Sequence, residues 1–139
     1  MKNRRLERRK EGAYIMEAIK KQSPNGYRLR SHNERLRIDG RRSIAILDYY
    51  HDGEEFKPFA VWVKIKPHES KLEREANAQC LLASKLLQID WTMKEVADYV
   101  KKDSTVGQVV NYFAKNLDDI FNGVPSEKVP ELNTDPYRS

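Results

Sequence analysis

The sequence predicts an α+β domain: a small antiparallel sheet, made of a hairpin plus one strand, followed by three helices packed on one face, with a further helix at the N-terminus. Three observations carry this. Residues 55–66 alternate with period two, placing Phe59, Val61, Val63 and Ile65 on one side and Ala60, Trp62, Lys64 and Lys66 on the other, the pattern of a half-buried strand. His51-Asp52-Gly53-Glu54 just before it is a hairpin turn signal. Beyond it, Ser70 with Glu73, Thr92 with Glu95, and Thr105 with Gln108 repeat the capping-box spacing ahead of helix-period apolar runs.

In chain order, residues 2–22 set Leu6, Ala13, Met16 and Ile19 among charges, an amphipathic helix with a basic polar face, which Gly12 weakens. Ser23-Pro24-Asn25-Gly26 stops it, because proline disfavours helix before it and Asn-Gly accepts positive φ. Tyr27 to Ile38 alternates irregularly and reads as a strand with a bulge, or as two short pieces. Asp39-Gly40 is a turn into the strand at 42–50, and Pro58 suits an edge strand or a strand start. Helices are expected near 71–88, 93–102 and 105–122. The last has the most regular stripe, from Val106, Val109 and Val110 through Phe113 and Leu117 to Ile120 and Phe121. After Gly123, three prolines among polar residues read as an extended or disordered tail. The expected organisation is a basic arm over 1–22, one domain over 23–123 and a tail over 124–139.

At 139 residues the chain has room for one modest core. A formal net charge of +5 and a pI near 9.3 suggest a phosphate-bearing partner. Arg4, Arg5, Arg8 and Arg9 crowd the N-terminus, either as a nucleic-acid arm or as a solvated helix face. Cys80 is the only cysteine, which excludes an intrachain disulfide and a cysteine-based zinc site and makes a reducing, cytoplasmic location the default. No apolar run approaches the ~18 residues of a membrane span, and no signal-peptide core is evident at the N-terminus.

Three features could carry binding. The basic junction into the helix at Ser70 could hold an anion on the N–H groups of the first turn, helped by Lys66 and Lys71; an ordinary capped helix with solvated lysines satisfies the same pattern. It contains no glycine, so it is not a Walker A loop. Trp62, Lys64 and Lys66 share a strand face, and Tyr49 could join it if the register allows, a combination that suits a stacked base and its phosphate. With Ala45, Leu47 and Ala60 beside them, that second face would be apolar enough to need a cover, for which self-association is the commoner answer. Arg35 and Arg37 belong to an arginine-rich stretch that could recognise phosphate, or keep an edge strand from unwanted pairing. His32, His51 and His68 have no metal-site spacing, and no nucleophile stands with a base.

With these elements in order, residues 42–121 resemble the TSCPD-type domain found at the C-terminal end of adenosylcobalamin-dependent ribonucleotide reductases and as stand-alone proteins. The likeness runs through Asp52-Gly53-Glu54, the apolar strand Phe59 to Ile65, the junction Lys66 to Ser70, and the apolar helices Ala78 to Leu87, Met93 to Val100 and Val109 to Phe121. The Cys-Pro element that names the family is absent, and the glycine usual before the junction serine is Glu69, so thiol relay is not expected. The strand-then-helix plan is also similar to that of phage proteins that sequester cyclic ADP-ribose-type signals of the Thoeris defence. Those proteins are oligomeric and use arginines and aromatics near subunit interfaces.

The expectation is therefore a non-enzymatic, homo-oligomeric cytoplasmic module, in the host cytoplasm if phage-encoded, that binds a nucleotide, a cyclic-nucleotide-like signal or another phosphate ligand without cofactor or metal. Its site would comprise Arg35, Arg37, Tyr49, Trp62, Lys64, Lys66, Ser70 and Lys71. The alternatives are nucleic-acid binding through Arg4, Arg5, Arg8 and Arg9, or a reductase-linked interaction domain.

Overall fold

A computed structural model describes residues 26–134; the helix expected over 2–22 lies outside them. Three strands come first, β1 (Arg30–Ile38), β2 (Arg41–His51) and β3 (Phe56–Ile65). Helices α1 (Lys71–Gln88), α2 (Met93–Tyr99) and α3 (Thr105–Phe121) follow, and a two-residue strand β4 (Glu131–Leu132) closes the described chain. The architecture is α+β, but the sheet has four strands in the order β3-β2-β1-β4. It is mixed where a wholly antiparallel sheet was expected, because β4 runs parallel to β1 with Ile38 opposite Leu132. Leu132 is the reason: it is buried where Val124 and Val129 of the same tail are exposed, and it extends the core beyond Ile38.

The turns follow from residues that tolerate positive φ. Asp39 (51°) and Gly40 (76°) form a two-residue loop between paired Ile38 and Arg41, with both φ positive as in a type I′ turn. In the β2–β3 loop, Asp52 Oδ1 accepts from the N–H groups of Glu54 and Glu55 at 2.8 and 2.9 Å. β1 pairs with β2 without interruption, so the bulge expected in Tyr27–Ile38 is not there. It lies in β3, where Phe59 is skipped between the pairs Asp48–Ala60 and Tyr49–Pro58. The irregular alternation of β1 has another cause: its inward positions include His32 and Glu34 as well as Leu36 and Ile38.

Helix bounds match the capping signals closely. Ser70 Oγ accepts from Glu73 N–H, and Thr92 with Glu95 makes a reciprocal capping box. The third cap is Ser104, one residue before the expected Thr105, with its Oγ accepting from Gly107 N–H at 3.0 Å. α2 stops at Tyr99, short of residue 102, because Val100 is extended (ψ 153°).

The packing face of the sheet is set by register. Ser43 sits opposite Leu36 and Ile65, Ala45 opposite Glu34 and Val63, and Leu47 opposite His32 and Val61, so all of these point to one side. Ala76, Cys80, Ala83 and Leu87 of α1 and Val109, Val110 and Phe113 of α3 join them in one buried cluster. Each fully buried large side chain contributes roughly 1.5–3 kcal/mol. α1 also serves the sheet edge. Ser84 Oγ and Asn77 Oδ1 accept from the N–H groups of Val61 and Val63 at 3.0 Å, and Glu73 Oε2 accepts from Ile65 N–H at 2.7 Å. Asn77 Nδ2 also donates to Val63 O at 2.9 Å. Side chains of one helix stripe thus stand in for a fifth strand along β3.

Candidate functional site

The side of the sheet opposite the helices carries the charge. Arg37 lies directly across from Arg42, and the next row is Arg35, Ile44 and Lys64. Then come Asn33, Ile46 and Trp62. Period-two alternation places these residues together once the opposite set is buried. Near the Asp39–Gly40 turn, Arg35, Arg37, Arg42, Lys64, Lys66 and His68 line a pocket of about 410 Å³. Ile44 forms an apolar part of its lining, and Val129 of the returning tail contributes another.

Among the described residues, none of the five Lys and Arg side chains has a carboxylate within ion-pair distance. All five are exposed. Paired cross-strand residues of like charge repel, and Arg37 with Arg42 is such a pair. The pocket therefore offers forked guanidinium donors and point-charge ammoniums to an anion, with the repulsion between them relieved by that anion.

The four strand cations expected to bind, Arg35, Arg37, Lys64 and Lys66, come together here, and Arg42 joins them. Trp62 faces the same way and lines a neighbouring hollow of about 630 Å³ that shares Lys64, with Ile46, Asp48 and Asn77 on its walls. Its indole Nε1 is buried and has no hydrogen-bond partner among the described residues. Tyr49 is a correction. It pairs with Arg30 and Pro58 on the helix side of the sheet, where its ring lies 5.2 Å from that of Phe121, so it cannot share a face with Trp62. Ala45 and Leu47 move with it into the core, which leaves Ile44, Ile46, Ala60 and Trp62 as the apolar part of the second face. The tail of β1 covers some of this: Tyr27 and Leu29 pack on a small cluster of Tyr50, Phe59 and Ala60.

Ser70 and Lys71 stand apart from the pocket. Ser70 Oγ is engaged as the helix cap, and Lys71 Nζ lies 3.8 Å from Glu75. The junction also holds a carboxylate that spacing alone did not place there. Glu73 does not return its bond to Ser70 but takes the N–H groups of Ile65 and Glu69, at 2.7 and 3.0 Å. Burial alone raises the Glu73 carboxyl, but those two N–H bonds and the His68 ring 3.5 Å away outweigh it and hold the group below the ordinary carboxylate value.

A second polar constellation, part-buried on the helix side, was not anticipated. Glu34 Oε1 accepts from Tyr112 Oη at 2.7 Å and from Ser126 Oγ at 2.6 Å, with His32 Nε2 at 3.7 Å. Its four members come from β1, α3 and the tail, and only topology unites them. Burial raises the Tyr112 hydroxyl, and the Glu34 carboxylate pushes it the same way. The group ties the tail to the core. Among the described residues, no three His, Cys, Asp or Glu side chains are grouped to hold a metal, and no helix is long and apolar enough to cross a membrane.

No family model, curated protein or solved structure matches the chain.

Proposed function

We propose that this chain is a non-enzymatic binding module for a nucleotide or similar phosphate-bearing small molecule, held in the basic pocket of the open sheet face. The observation that supports it is the gathering of Arg35, Arg37, Arg42, Lys64 and Lys66 around one pocket without a counter-carboxylate among the described residues. Phosphate oxygens meet the arginines and lysines, and the base lies toward Ile46 and Trp62, where Asp48 and Asn77 stand at the wall. Stacking of this kind is worth roughly 1–3 kcal/mol per base. One copy of the chain supplies every group in this reading, so the expected stoichiometry is one ligand per chain.

Calorimetry with a panel of mono-, di- and cyclic nucleotides tests it. Binding to the wild type should weaken at least tenfold in Arg35→Ala or Lys64→Ala, a loss of about 1.4 kcal/mol or more. Lys71→Ala, outside the pocket, should leave it unchanged. No heat from any member of the panel would sink the reading, and binding that only polynucleotides produce would replace it with nucleic-acid recognition.

A further inference from the structure

At the opposite end of the sheet, a cavity of about 660 Å³ opens where the β2–β3 loop meets the ends of α1 and α3. Its charge is reversed. Glu54, Glu55, Asp90 and Asp118 line it. Among the described residues one lysine lines it, Lys57, which lies 3.4 Å from Asp52 and 3.8 Å from Asp90 and is matched by them. Aromatic rings complete the walls. Phe56 and Phe121 stack at 5.4 Å, and Trp91 stands among the acids. The ring cluster already accepts a guanidinium, since Arg30 Cζ lies 5.3 Å from the Phe56 centroid. Carboxylates beside aromatic faces suit an arginine or lysine side chain, whose stem packs while its head is paired.

The chain holds a matching occupant. Residues 1–25 contain eight Lys and Arg against three Glu, so they carry the whole formal charge of +5, and residues 26–139 sum to zero. The described chain also begins beside the cavity: the Tyr27 ring stacks at 5.9 Å on Tyr50, which lines it. Arg9 is 17 residues from Gly26 in sequence, and at up to about 3.3 Å per residue the connection exceeds the distance needed. We propose that this acidic, aromatic-walled cavity is the docking site of the chain's own basic N-terminal segment, with side chains from Arg4, Arg5, Arg8 and Arg9 as the groups that enter. The segment then spends its charge on the domain, and the phosphate pocket at the far end stays clear.

Trypsin supplies the test, because cleavage after exposed arginines tracks the population of the undocked segment. In the full chain at low salt, cleavage at Arg4, Arg5, Arg8 and Arg9 should be slow. It should accelerate about tenfold in the triple variant Glu54→Gln, Glu55→Gln, Asp118→Asn, and comparably in about 0.5 M salt, which screens exposed charge. These isosteric changes fall on exposed side chains, so thermal unfolding should be unaltered. Cleavage at one rate in both proteins would overturn the proposal. Zero-length carboxyl–amine cross-linking gives the second readout: Lys2 or Lys10 should join Glu54, Glu55 or Asp118 within one chain. A covalent dimer through the same residues, or no such cross-link, would overturn the intramolecular assignment. Neither readout involves nucleotide, so failure here leaves the phosphate reading standing, and the reverse also holds.

Discussion

Glu69 holds φ at 61°, a left-handed conformation in which Cβ crowds the carbonyl and which costs a non-glycine residue roughly 1–2 kcal/mol. It sits just before the Ser70 cap, and its N–H is needed by Glu73. Glu69→Gly keeps that N–H and removes the crowding, while glycine's greater unfolded-state freedom offsets part of the gain. The net expectation is a stabilisation of about 0.5–1 kcal/mol, read as a raised urea midpoint with an unchanged slope. A lowered midpoint would show that the Glu69 side chain matters more than its backbone. Asp90 (φ 78°) plays the same part after α1, where the N–H groups of Asp90 and Trp91 bond back to Leu87 and Leu86 as in a Schellman motif. Residue-level signals of this kind were only half legible. Ser, Thr and Asp-Gly announce caps and turns, but a glutamate in a glycine conformation does not announce itself. Cys80 is fully buried, and burial pushes its thiol up to about 12.

At the scale of elements, the unforeseen feature is how α1 meets β3. Glu73, Asn77, Ser84 and Gln88 recur near multiples of a helical turn, and each bonds the outer backbone edge of β3, with Gln88 Nε2 reaching Phe59 O at 3.4 Å. In the sequence these positions read as polar interruptions of an apolar helix, because nothing local says that a strand edge lies opposite. Asn77→Ala removes an acceptor for Val63 N–H and a donor for Val63 O in a partly buried setting. Unsatisfied groups of this kind cost ~1–3 kcal/mol, so the unfolding free energy should fall by about 2 kcal/mol. A change below ~0.5 kcal/mol would mean that water replaces the side chain at no cost. Strand faces were misread for a related reason. In β2 both sets, Ser43-Ala45-Leu47-Tyr49 and Ile44-Ile46-Asp48-Tyr50, are largely apolar, so alternation does not choose between them. The bulge at Phe59 then shifts which residues of β3 lie opposite Tyr49, and pairing is a long-range choice. The charged strand residues suffered no such ambiguity. Arg35 and Arg37 alternate with buried Leu36 and Ile38, so their common side was visible in the sequence, and Lys64 with Lys66 likewise.

Across the whole molecule, charge is segregated: the Asp39–Gly40 end of the sheet is ringed by cations and the Asp52–Glu55 end by carboxylates. Several carboxylates are also held below their ordinary values by backbone N–H groups. For Asp52 the donors are Glu55 and Glu54, for Glu95 the donor is Thr92, and for Glu73 the N–H bonds and His68 overcome the effect of burial. A carboxyl lowered in the folded state contributes stability that is full above its unfolded-state value and is lost as pH falls through its folded-state value. These groups therefore predict a level urea midpoint from neutrality to about pH 5 and a decline below about pH 4, with Glu73→Gln showing a shallower decline. A midpoint that rises on acidification would contradict the assignment. At the basic end the expectation is opposite in kind, since like charges crowd one pocket. Arg37→Gln, which relieves the pair with Arg42, should raise the melting temperature of the free protein while weakening its ligand. Thermal unfolding of wild type and Arg37→Gln, each with and without the nucleotide panel, brings these effects into one measurement. The account predicts that a nucleotide at about a hundred times its Kd stabilises the wild type by about 2.7 kcal/mol, and that Arg37→Gln starts higher and gains less. Identical curves for the wild type with and without every nucleotide would contradict it.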